Sequence, residues 1–228
     1  MKRDDAQSKS GILSSGVVIG VGTFLSLTTG VLAIIAWGQM NDWGLTHPSL
    51  YKIFPLFGLM AFSLLLSQYI ILALIRFTRA DIERVQPYFE VSGFLVLWCI
   101  MLHPGLLVWQ LWRDGLGLPP ESYLRNYVPP DLGWVAMLGT VSFLIFFAYE
   151  FKRVFGERSW WRWIVYLSDV AMLAVFYHGF RLGDQLQGGW YRPVWLVYGI
   201  LLLASLLYIR GGLLLSALRK LHIKRRSP

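Results

Sequence analysis

The chain has 228 residues, of which 56% are hydrophobic and 15% charged, with a formal net charge of +8. A soluble domain carries about 25% charged residues; here the charge is confined to gaps between long apolar runs, which excludes an ordinary soluble domain and reads as a polytopic membrane protein. The basic excess sits at helix ends and forms no fold of its own, which excludes nucleic acid as a partner and leaves anchors that touch anionic lipid.

The charged N-terminus MKRDDAQSKSG leads into an apolar run too long for a signal-peptide core and without a clear cleavage site, so residues 12–37 are predicted as the first membrane helix. Within it, Gly16 and Gly20 form a small-xxx-small pair expected to be a packing contact. Five further runs follow at residues 53–75, 91–112, 132–151, 163–180 and 193–209. Each is long enough to cross ~30 Å of hydrocarbon at ~1.5 Å per residue. The expected fold class is all-α, a single six-transmembrane-helix bundle. The longest loop, 113–131, carries Pro119-Pro120 and Pro129-Pro130 and reads as a stiff connection. A basic tail, 210–228, passes Gly211-Gly212 and either extends the last helix or lies along the inner surface. No internal repeat, dinucleotide fingerprint or P-loop is present.

With the N-terminus inside, fifteen of the 21 Lys and Arg fall on the inner side; Lys52, Arg113, Arg125, Arg181 and Arg192 fall outside and Arg210 is ambiguous. This bias places both termini in the cytoplasm and predicts a multi-pass protein of the plasma (inner) membrane. Trp37, Trp43, Trp109, Trp112, Trp134, Trp190 and Trp195 are expected at the outer interface, and Trp160, Trp161 and Trp163 at the inner one.

Of the four histidines, His47 and His222 lie on predicted loops or tails and carry no assigned role. His103 and His178 lie within membrane helices three and five. Each stands ~20 Å above the cytoplasmic ends of those helices, which run in the same direction. Ionisable groups in hydrocarbon face a bundle interior or a cavity, and two imidazoles level with each other on facing helices can hold a haem iron from both sides. The plainer reading stays open: each His only hydrogen-bonds a neighbouring helix. Cys99, the single cysteine, can form no intrachain disulfide and is expected to be inert at lipid depth. No HExxH or third ligand at metal spacing accompanies the histidines.

Helix three reads WCIMLHPGLLVWQLW and helix five DVAMLAVFYHGFRLG. Both resemble the third and fifth helices of the ferric reductase and NADPH oxidase transmembrane domain, and LGDQLQGGWYRPVWLVYG is similar to the connection into the last helix of short bacterial members. The resemblance covers residues 91–209, about half the chain. It implies that His103 and His178 are axial ligands of one haem b near the outer leaflet. Full members carry a second His on each helix ~13 residues earlier. Here those places fall near Phe89 and Glu90, and near Ile164 and Val165, so the inner haem site is missing. Arg181, one turn past His178, is expected where haem propionates would point, with Arg113, Arg125 and Arg192 as helpers.

Asp169, an intramembrane carboxylate, has three readings: a proton relay, a carboxyl kept neutral, or, the one favoured, a pair with Arg210 on the last helix that fills the volume of the lost inner haem, with Gln68 and Ser168 joining the patch. The function expected is single-electron transfer by a membrane haem b protein, an electron-transfer subunit of oxidoreductase type. Its donor would be a quinol or a separate reductase, because the chain has no room for a flavin or nicotinamide domain. The alternative is a cofactor-free membrane scaffold or complex subunit that keeps the fold.

Overall fold

The computed structural model describes residues 13–44, 49–155 and 161–226, and of 150–155, 161–162 and 213–226 the backbone alone. His47, Trp160 and the basic residues of the first dozen positions lie outside the described residues, as do the side chains of Trp161 and His222. Among the described residues there are seven helices and no strand: α1 (Ser15–Met40), α2 (Leu50–Thr78), α3 (Ile82–Arg113), α4 (Glu121–Asn126), α5 (Gly133–Phe155), α6 (Trp161–Leu182) and α7 (Tyr191–Arg226). All but α4 are long and apolar enough to cross a membrane.

The ends of these helices follow local chemistry that hydropathy does not report. Asp81 caps α3, its carboxylate accepting the Glu83 N–H at 3.0 Å, so the helix starts at Ile82 and not at 91. Its first turns are polar but still helical. Arg79, in the left-handed region at φ 58°, ends α2. The loop at 113–131 is not purely a stiff connection: it contains α4, followed by a 3-10 turn at Pro130–Leu132. The segment predicted as a tail from 210 is a continuation of α7, which passes through Gly211-Gly212 without a break. A glycine within a helix costs only about 1 kcal/mol relative to alanine, so the pair does not compel an end.

α2 and α3 pack as one antiparallel hairpin and α5 and α6 as a second; α1 lies against the first hairpin and α7 against α2. The two hairpins meet each other at few positions. The main core joins Ala33 and Trp37 of α1, Leu59, Phe62 and Leu66 of α2, Met172 of α6 and Trp195, Tyr198 and Leu202 of α7. The outer surface is apolar in turn, with Phe24 68% and Leu207 73% exposed, as a lipid solvent permits.

Helices in lipid gain no hydrophobic drive from touching, so close approach at small residues does the work. On α1 that contact is not made by Gly16 and Gly20, as expected from sequence. A Cβ at Gly20 would meet nothing within 4 Å, and one at Gly16 only Ser14 of its own helix. The packed stripe lies further along, where a Cβ at Gly22 would stand 3.0 Å from the Tyr88 ring and one at Gly30 3.3 Å from Met60. Ser26, between them, hydrogen-bonds the Tyr88 hydroxyl at 3.0 Å. Trp37 and Trp195 lie near the loop ends of α1 and α7, as expected, but are buried and do not face outward. The Trp37 indole donates to Lys52 O at 2.6 Å, and the Trp195 indole to Phe176 O at 3.2 Å.

Candidate functional site: a facing histidine pair between two hairpins

His103 comes from α3 and His178 from α6, one from each hairpin, and their ring centroids stand 6.4 Å apart with the planes at 89°. Each ring is held in the same way. His103 Nδ1 bonds Phe54 O on α2 at 2.9 Å, and His178 Nδ1 bonds Val135 O on α5 at 2.9 Å. A carbonyl can only accept, so Nδ1 carries the proton in both rings and Nε2 carries the free lone pair. Neither Nε2 has a hydrogen-bond partner among the described residues.

One turn beyond each carbonyl lies a glycine against the ring face. A Cβ at Gly58 would be 2.7 Å from His103 Cε1, and one at Gly139 2.6 Å from His178 Cε1. Carbonyl at i, glycine at i+4 and an imidazole from the partner helix thus occur twice, once per hairpin. Phe54, Val135 and His178 all lie within ~6 Å of their helix ends, at the end of the bundle that carries the α1–α2, α3–α5 and α6–α7 connections. α3 alone runs on, ending at Arg113 ~15 Å past His103.

Two imidazoles with no third donor fall short of the three or four protein ligands of a zinc site, and no group of three or more His, Cys, Asp or Glu suited to a metal occurs among the described residues. Two imidazoles would, however, be enough protein ligands to hold a haem, whose porphyrin supplies the rest. An imidazole nitrogen binds a metal at ~2.0 Å and lies ~1.2 Å from its ring centroid, so two rings aimed at one ion from opposite sides would have centroids up to ~6.4 Å apart. The observed separation, the protonated Nδ1 on a carbonyl and the free Nε2 all fit that use. The Nδ1–H···O=C bond is the usual outer-shell device that fixes tautomer and orientation of a ligating imidazole.

Above the pair at the loop end, aromatic rings continue from His103 to Phe54 (5.2 Å), then Tyr127 (5.5 Å), then Tyr51 (5.8 Å). The Tyr51 hydroxyl donates to Asp114 Oδ2 at 2.8 Å, and Gln110 Nε2 donates to both carboxylate oxygens. Those bonds, Gln110 first and Tyr51 next, hold the Asp114 carboxyl below its usual range. Burial, then the Asp184 carboxylate, push the Tyr127 phenol up to about 12.

The arginines expected to assist are placed around this end, each with a local partner. Arg181 is exposed and its Nη1 donates to the Tyr177 hydroxyl at 3.2 Å. Arg113 bonds Gln110, Arg125 pairs with Glu121, and Arg192 bonds Gln187 O.

In the other half of the bundle, Arg210 Nε meets Asp169 Oδ2 at 2.6 Å, and the Tyr69 hydroxyl donates to Asp169 Oδ1 at 3.1 Å. The hydrogen bonds of the other residues expected in this patch go elsewhere: Gln68 bonds Ser92 on α3, and Ser168 bonds Ile164 O on its own helix. Sequence reasoning reached the two histidines and the Asp169–Arg210 pair. It missed Gly58, Gly139, the two carbonyl acceptors and Tyr69.

No family model, curated protein or solved structure matches the chain.

Proposed function

We propose that this protein carries one haem b between His103 and His178 and transfers single electrons. In this reading the group lies near the outer leaflet of the plasma membrane, both termini are cytoplasmic, and the chain is a short relative of the ferric reductase-like membrane domain without its inner haem. The observation that carries the reading is the 6.4 Å ring separation with both Nδ1 atoms already committed to carbonyls. When bound between His103 and His178, the haem would supply a one-electron couple.

The chain's own residues do the rest. The carbonyls of Phe54 and Val135 hold the two Nδ1 protons and aim the rings. Gly58 and Gly139 let the rings sit against their neighbouring helices. Arg181 is the candidate partner for a propionate. The donor is a quinol or a separate reductase.

The resemblance rests on the His-Pro and His-Gly steps at 103–104 and 178–179 and on the residues around them. The cofactor-free scaffold draws on the same hydrogen bonds, since a carbonyl partner is all that a structural histidine needs. That reading gives no reason for the two rings to stand 6.4 Å apart with neither Nε2 hydrogen-bonded among the described residues.

The reduced-minus-oxidised spectrum of the purified protein decides between them. A sharp α band and a Soret shift that vanish in His103→Ala and in His178→Ala are expected. Colourless, folded protein from haem-replete cells would overturn the haem reading in favour of the scaffold.

A further inference from the structure

α7 carries two stripes of residues, each stepping alternately by four and by three. One is in use: Tyr191, Trp195, Tyr198, Leu202, Ser205 and Ile209 are buried against the rest of the bundle. The other is free. Val197, Ile200 and Leu207 are 51%, 66% and 73% exposed, Ala204 is exposed, and a Cβ at Gly211 would meet nothing within 4 Å. Acyl chains can cover this free stripe as far as Gly212, where the apolar span of α7 ends.

Beyond that point lipid cannot. Tyr191–Gly212, at ~1.5 Å per residue, already crosses ~30 Å of hydrocarbon, yet the helix runs on unbroken to Arg226, ~20 Å further. There the two stripes part in character. The buried one continues through Gly212, Ser216 and Arg219 and turns polar, so the bundle does not follow it out of the membrane. The free one continues through Leu214, Leu218 and Leu221. Leucines at this spacing on a helix that has left the membrane are the pattern of a coiled coil, and so short a helix is marginal in water by itself.

We propose that α7 pairs in parallel with α7 of a second copy of this chain, along the stripe from Val197 to Leu221. What covers a stripe that begins inside the membrane and ends outside has to be a helix making the same crossing. A second α7 does so in the same orientation and at the same depth, about a two-fold axis along the membrane normal. The charges suit identical strands. With Ala204, Gly211 and Leu218 at a and Ile200, Leu207, Leu214 and Leu221 at d, the flanking e and g positions are Leu201, Leu203, Tyr208, Leu215 and Ala217, together with Arg210, which is bound to Asp169 of its own chain. Arg219 and Lys220 fall at b and c, away from the contact. A partner selected by charge would need charged e and g positions. Within the membrane the a positions are small, Ala204 and Gly211, which lets two helices approach closely where hydrophobicity gives no drive. Neither the histidine pair nor a haem takes part in this contact, so its test needs no spectral readout.

The test uses the full chain with Cys99→Ser, in native membranes, with one new cysteine per variant. Mild oxidation should cross-link Leu218→Cys and Leu221→Cys into dimers in several-fold higher yield than Ser216→Cys, whose f position lies opposite the contact. In mild detergent the unaltered chain should show a native mass of two copies. The double variant Leu218→Lys with Leu221→Lys should reduce it to one copy while thermal unfolding of the bundle stays unchanged. Equal cross-linking at all three positions or a one-copy mass for the unaltered chain would overturn the pairing. So would a probe on Leu218→Cys quenched by spin-labelled lipid, which would lay the extension on the bilayer surface, or a different protein held at fixed stoichiometry in place of the second copy.

Discussion

At Gly58 and Gly139 the room beside each imidazole is smaller than one methyl group. A Cβ would stand 2.7 Å from His103 Cε1 and 2.6 Å from His178 Cε1, and neither ring can retreat without giving up its 2.9 Å carbonyl bond. Gly58→Ala and Gly139→Ala should therefore lose or shift the haem absorption bands, at an overpacking cost of ~1–3 kcal/mol. Gly105→Ala, two positions from His103 but with nothing within 4 Å of its Cβ, should leave the spectrum unchanged.

Asp114 makes a prediction of a different kind. Its carboxyl is depressed in the folded state by Gln110 and Tyr51. The stabilisation this brings is complete above the ordinary carboxylate value of 3.8 and is lost as pH falls through the lower folded value. Tyrosine absorbance should consequently hold steady from neutral pH down to that range and change only below it, and Tyr51→Phe should move the transition upward.

The residues that sequence reading reached were those whose chemistry is costly in hydrocarbon: two imidazoles, a carboxylate and an arginine. Tyr69 escaped because it and Gln68 are neighbours in the chain but ~100° apart around α2, and only the fold says which of them faces α6. Gly58 and Gly139 escaped because a glycine's meaning here is a distance to another helix.

For an element, the question is what keeps it in place, and among the described residues three polar contacts tie α7 to other helices besides its packed face. Arg210 meets Asp169, Arg76 Nη1 donates to Ile209 O at 2.6 Å, and the Trp195 indole donates to Phe176 O. Removing one partner of a largely buried ion pair strands the other, which costs ~3–5 kcal/mol when burial is complete; the partial exposure of this pair places Asp169→Ala toward the lower figure. Tyr69→Phe should cost about 1 kcal/mol, the net worth of one hydrogen bond. Thermal unfolding in detergent reads both, and the double variant Asp169→Ala with Arg210→Ala should lose less than the two single variants added together.

Helix existence was legible because ~20 apolar residues in a row have few other uses. Helix ends were not. The start of α3 is set by the Asp81 carboxylate on a backbone N–H, and the continuation of α7 by the absence of any compelling stop at Gly211-Gly212.

For the molecule as a whole, topology follows from six crossings, which put both chain ends on one side. The proposal that this side is the cytoplasm rests on the distribution of Lys and Arg. A reporter enzyme active only in the periplasm, fused after Arg226, should be silent, and the same reporter inserted at Gly117 in the α3–α4 connection should be active. The reverse pattern would move the histidine pair to the inner leaflet and remove the basis for placing it outside.

The hairpins α2–α3 and α5–α6 each bring one imidazole, one carbonyl and one glycine to a seam where they otherwise share little contact. A group gripped by both would act as a rivet through two half-shells. Its occupancy would then set how firmly the halves stay joined, because a ligand that binds only the joined form stabilises it by mass action. The apoprotein, lacking that fastening, should come apart along this seam before any single helix unwinds.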